Sequence, residues 1–246
     1  MIRISLGILL LWGLISSLLA QDDPVATPPV PPFLKNVPSH AAWTITYTYS
    51  KDIADSKPPA DITPTEARLN RRLIKVQVTK VDAKRREIAS WSDGTTSETW
   101  IYDNWIFLTS QDFPDIRVLD RSHLNKIFAK NYPDYSKADF PDFDWLSRDN
   151  FVGVQTVQDR KCYTFRGGSD LLDKTLNSAY KTDLKEIEAS IDSETGLPVE
   201  FNNGAARQTY SFKGPPPTSL ELPSSFTTAL ERYQHALKQP YTHTMK

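Results

Sequence analysis

Residues 99 to 108 read Thr-Trp-Ile-Tyr-Asp-Asn-Trp-Ile-Phe-Leu, and no other run constrains the fold as tightly. Its aromatic and β-branched residues favour strands, and Asp-Asn is turn chemistry. With Asp103-Asn104 as a two-residue loop, Tyr102 pairs with Trp105, Ile101 with Ile106 and Trp100 with Phe107. Directly opposed residues share a face. One face then carries Trp100, Tyr102, Trp105 and Phe107, and the other Ile101, Ile106 and Leu108. Both faces are apolar, so both need cover, which a sheet with one wet face would not supply. Two arrangements satisfy this: a curved sheet around a cavity with a helix or loop packed on it, or an ordinary two-layer core.

The rest of the chain reads as further short strands. Trp43–Tyr49 alternates strictly, with Trp43, Ile45, Tyr47 and Tyr49 on one face. Leu73–Val81 follows, with Ile74, Val76 and Val78 sharing a face, and Asp82-Ala83-Lys84 turns into Arg86–Trp91. Asp93-Gly94 is a tight turn and Ile116–Asp120 a short strand. Phe151–Gln158 and Lys161–Arg166 make a hairpin around Asp159-Arg160. Near the C-terminus come Glu188–Asp192, Val199–Phe201 and Arg207–Phe212. Pro198 has no N–H for a ladder, so it belongs at a strand's first residue or on an edge. Asn203-Gly204 predicts a type I′ turn. The fold class is therefore mainly β, a curved antiparallel sheet with a few short helices. One helix is capped near Asp120 or Ser122 and carries Leu124, Ile127 and Phe128; residues 169–180 suit a helix or a long loop. Ser224 or Ser225 caps a last helix with Phe226, Leu230, Tyr233 and Leu237 as its stripe.

Residues 1–20 have the form of a signal peptide, with Arg3 before a largely apolar run and small residues up to Ala20. Cleavage is expected near Ala20. No Cys follows it, so a lipobox is missing and an exported, periplasmic product is expected, peripheral to a membrane at most. Residues 21–40 form a Pro-rich linker whose Phe33 and Leu34 can dock. Residues 41–240 are expected to be one β domain, a monomer, with a frayed tail at 241–246. The formal charge is −1 with no long basic block, which disfavours nucleic acid; Arg71-Arg72 and Lys84-Arg85-Arg86 read as solvated strand ends. The single Cys162 allows no internal disulfide, and its alternating setting predicts burial.

Chemistry-bearing motifs are sparse. His40, His123, His235 and His243 show no metal-ligand spacing, and no nucleophile elbow or zinc-protease motif is present. Residues 132–149 are dense in Asp and aromatics, but the spacing fails the calcium-loop pattern. A lid anchored by Phe140, Phe143 and Trp145 is the expectation there. No cofactor or metal is expected, and the chain does not read as an enzyme.

The stretch Glu188–Phe226 has an acidic residue and turn, then Thr195-Gly196-Leu197-Pro198, a strand, a hairpin, a Tyr/Phe strand and the closing Leu220-Glu221-Leu222-Pro223. In that order it resembles the end of the periplasmic lipoprotein-carrier (LolA-like) family, whose broader group includes lipoprotein-sensing envelope proteins. The resemblance implies an open half-barrel holding acyl chains. A lipid or acylated protein is then the expected partner, with Trp91, Trp100, Tyr102, Trp105 and Phe107 as the expected cavity wall. The alternative is a half-barrel filled by its own helices that binds an envelope protein.

Overall fold

The computed structural model describes residues 27–51, 63, 70–124, 132–133, 135, 137–168 and 186–238. The expected signal peptide, most of residues 51–70, Ile127 and Phe128, the segment 169–180 and the expected frayed tail lie outside them.

Eleven strands build one antiparallel sheet. They are β1 (His40–Tyr49), β2 (Leu73–Val81), β3 (Lys84–Trp91), β4 (Thr96–Tyr102), β5 (Trp105–Ser110), β6 (Phe113–Asp120), β7 (Phe151–Val157), β8 (Arg160–Gly167), β9 (Ile187–Asp192), β10 (Pro198–Asn202) and β11 (Ala206–Ser211). Their spatial order is β6-β5-β4-β3-β2-β1-β11-β10-β9-β8-β7. The meander runs outward from β1 to β6, crosses over, and returns from β7 to β11 beside β1. The sheet is left open between β6 and β7, an open half-barrel. Among the described residues one α-helix, α1 (Ser224–Lys238), follows.

The β4–β5 register is the one its residues predict: Tyr102 opposes Trp105, Ile101 opposes Ile106 and Trp100 opposes Phe107. Asp103 takes φ 53° in that turn. The β7–β8 hairpin turns one residue earlier than expected, at Gln158-Asp159, where both residues have positive φ. The Asn203-Gly204 turn also differs. Only Gly204 has positive φ, at 84°. The Asn203 side chain instead accepts from the Ala205 and Ala206 N–H groups, and this side-chain cap makes a three-residue loop. Ile74 does not join Val76 and Val78. The β2–β3 register shifts between Leu73 and Lys75, so Leu73 packs inward while Ile74 is 45% exposed.

Following the pairings across the sheet separates two faces. One carries Trp43, Ile45, Val76, Val78, Arg85, Ile101, Ile106, Phe201, Tyr210, Ala189, Ile191 and Phe165. This Trp43 face is apolar along most of its length. The other face is polar over β1 and β11, with Thr44, Thr46, Thr209 and Ser211. It becomes apolar only over β4 to β6, where Trp100, Phe107 and Val118 stand together. There α1 lies, with Phe226 buried and Leu230 packed on the same cluster. Leu237 is 61% exposed, so the helical stripe ends one turn before its sequence pattern does.

Candidate functional site

The crossover from β6 to β7 covers the Trp43 face. Phe140, Phe143 and Trp145 from this segment are all buried in the main core cluster. A 3-10 turn at Pro141–Phe143 aims two rings at the middle of the sheet. Phe140 lies 5.7 Å from Trp43, 5.9 Å from Tyr210 and 6.1 Å from Phe212. Phe143 lies 5.2 Å from Phe201 and 5.8 Å from Tyr210. Phe33, Leu34 and Val37 pack on the same cluster from the N-terminal segment, with Phe33 edge-on to Phe165 at 5.4 Å.

Asp139 brings a charge beside those rings. Its side chain is 1% exposed. Lys80 Nζ donates to both carboxylate oxygens at 2.9 and 2.8 Å, and the Val37 N–H donates to Oδ2 at 3.0 Å. The Asp139 N–H in turn donates to Asn36 Oδ1 at 2.9 Å. Arg85 stands 3.9 Å from Asp139 Oδ1 and donates from Nε to Glu87 Oε1 at 2.6 Å. Its guanidinium is held between the Tyr135 ring at 3.7 Å and the Trp43 ring at 4.9 Å. A cavity of about 200 Å³ opens here, bounded by Lys80, Asp82, Ala83, Lys84, Arg85, Tyr135 and Asp139.

Three residues on, burial pushes the half-buried Asp142 carboxyl up; Asp144 and Glu87 add to this and Arg85 opposes it. Burial also raises the phenols of Tyr47, Tyr135 and Tyr210 well above their ordinary range, so all three stay neutral. Tyr210 donates to Gln208 Oε1 at 2.8 Å. Trp43 Nε1 and Trp145 Nε1 are buried donors with no hydrogen-bond partner. An unpaired buried N–H costs about 1–3 kcal/mol.

Of the five residues expected as a cavity wall, Trp100, Tyr102, Trp105 and Phe107 come together in one cluster under α1, and Trp91 lies on the opposite face. Trp100 and Phe107 touch Phe226 of α1 at 5.9 and 5.6 Å. Trp105 meets Tyr233 at 5.9 Å, and Lys84 Nζ sits 4.7 Å over the Tyr102 ring. Trp91 pairs with Leu73 and so falls on the Trp43 face. There it donates to Ser97 Oγ at 3.0 Å under the Arg71 guanidinium. The basic clusters are not solvated strand ends: Arg85 is buried and Arg71 is paired with Asp112 at 2.6 Å. Sequence reasoning missed Lys80, Arg85, Tyr135 and Asp139. The available signal was alternation, because Arg85 is two residues from Glu87 and four from Ala89 on the strand face that opposes Val76 and Val78. Cys162 is fully buried, as its setting predicted. Among the described residues no group of His, Cys, Asp and Glu is placed to hold a metal, and no helix is long and apolar enough to cross a membrane.

No protein-family model and no curated protein matches the chain. Solved structures do. The lipoprotein LppX of Mycobacterium tuberculosis is 10% identical over 74% of this chain and 90% of its own, with a TM-score of 0.36. A Vibrio parahaemolyticus domain described as an outer membrane lipoprotein-sorting protein is 8% identical over 78% and 90%, at 0.30. A DUF1329 family protein of Desulfovibrio piger is 12% identical over 66% and 64%, at 0.25.

Proposed function

We propose that this is an exported, monomeric, non-enzymatic carrier or sensor that binds an acyl chain of a lipid or acylated protein against the Trp43 face. One observation carries the reading. That face is apolar across most of an open sheet, yet what fills it is an irregular segment contributing Phe140, Phe143 and Trp145. In this reading the crossover is the lid, and the wall is Trp43, Ile45, Phe201, Tyr210 and Phe212. Trp100, Tyr102, Trp105 and Phe107 then serve as the seat of α1. Each buried CH₂ contributes about 0.8 kcal/mol, so a chain of roughly ten methylenes offsets displacement of two or three rings.

Native mass spectrometry of residues 21–246, purified gently from an envelope fraction, tests this. Added mass that organic extraction resolves into acyl species is the expected result, together with displacement of a fluorescent fatty acid in titration. A clean apo mass with no displacement would instead favour the second reading, a self-filled half-barrel that binds an envelope protein. The close packing of Phe140 and Phe143 on the sheet is the observation on that side.

A further inference from the structure

We infer that the ligand displacing the crossover is an anionic amphiphile, and that Asp139-Phe140-Pro141-Asp142-Phe143 occupies its place as an internal mimic. This rests on the acyl-chain reading and adds the headgroup. The segment has the layout of such a ligand: a carboxylate at one end, held by Lys80 and close to Arg85, and rings running inward from it. Charge accounting makes the choice. Around this point stand Lys80, Lys84 and Arg85 against Asp82, Glu87 and Asp139, which balance. When the crossover leaves, Asp139 leaves with it, and three cations face only Asp82, which is largely in solvent, and Glu87. A neutral ligand would leave a cation uncompensated in a mostly buried position, which is strongly unfavourable. A carboxylate or phosphate on the incoming chain restores the balance.

Two further features fit a ligand bearing oxygen acceptors. The cavity bounded by Lys80, Asp82, Ala83, Lys84, Arg85, Tyr135 and Asp139 has about 200 Å³, and when the crossover leaves with Tyr135 and Asp139, Lys80, Lys84 and Arg85 of the strands still face it. Trp43, which stacks under Arg85, keeps a buried Nε1–H without an acceptor while the crossover is in place.

The test is competition against a fluorescent acyl probe at about pH 8, where a fatty acid is ionised. Laurate, dodecyl phosphate, dodecanol and inorganic phosphate are compared on the whole mature protein. Laurate and dodecyl phosphate are each expected to compete about tenfold or more better than dodecanol, the scale of a charge-assisted contact. In Lys80→Gln that preference is expected to collapse toward equality. The wild-type comparison stands on its own if the variant folds poorly. Equal competition by laurate and dodecanol would overturn the headgroup assignment and leave the acyl reading intact. Competition by inorganic phosphate alone at the strength of dodecyl phosphate would make the cavity a free-anion site and overturn the amphiphile. If nothing with a chain competes, the acyl reading fails and this inference fails with it.

Discussion

Gly196 sits at φ 71°, and its carbonyl accepts the Lys35 N–H at 2.8 Å. A Cβ there would stand 2.9 Å from two carbons of the Lys35 side chain. Gly196→Ala is therefore expected to cost about 1–3 kcal/mol in urea unfolding, from backbone strain and from loosening the N-terminal segment. The neighbouring Asp192 explains the acidic start of the motif. Burial opposes its charge, but the Thr195 and Glu194 N–H groups and Arg160 outweigh this and hold the carboxyl below its usual range. So Thr-Gly-Leu-Pro was legible as a turn, while its work of pinning residues 33–37 to the sheet was not. That contact joins positions far apart in the chain. Asp142 has the opposite sign. Its folded-state carboxyl is raised, so the folded protein binds this proton more tightly than the unfolded chain, and stability is lost as pH rises through the raised value. Asp142→Asn is expected to raise the melting temperature by about 2–4 °C near pH 7, the scale of ~1 kcal/mol in a domain this size. The gain should vanish below about pH 4, where the unfolded carboxyl is also protonated. A gain that persisted unchanged in acid would remove the electrostatic cause.

At the scale of elements, the β4–β5 hairpin shows what local pattern can and cannot carry. Cross-strand partners follow from a two-residue loop and the period of a strand, so Trp100 opposite Phe107 could be read directly. Which layer covers a face depends on segments more than a hundred residues away, and there the reading ran out. The four aromatics expected as a wall lie where α1 packs, Trp100 and Phe107 against Phe226 and Trp105 against Tyr233. Trp91 stands apart from them because the alternation of β3 places it with Arg85, Glu87 and Ala89 on the face that carries Ile101, so the strand period alone separates it from Trp100. The helix can be tested through its buried anchor. Phe226 touches both Trp100 and Phe107. Phe226→Ala is expected to cost about 3–5 kcal/mol if α1 is part of the cooperative unit. A loss below ~1 kcal/mol would mean that the helix lifts away at little cost and that the Trp100 face is accessible.

For the whole molecule, the two covers of the sheet are built differently. Helix α1 carries its own ladder of backbone hydrogen bonds. The crossover instead bonds locally, Phe143 N–H to Phe140 O, Leu146 N–H to Phe143 O and Asn150 N–H to Ser147 O, and holds the sheet through side chains and the Asp139 pairings. Segments fixed in this way open by sub-global fluctuations, below the free energy of complete unfolding. The central strands β1, β2 and β11 pair on both sides and open only with the whole fold. Native-state hydrogen exchange should therefore divide residues 140–150 from β1 and β11, with the crossover exchanging at the lower free energy. Displacement by an acyl ligand makes a second, sharper demand. Adding laurate should speed exchange at 140–150 while slowing or sparing β1 and β11, because the ligand replaces the segment and protects the sheet. If ligand slows exchange at residues 140–150 instead, the segment closes over the bound chain, and it cannot be the group that the chain displaces.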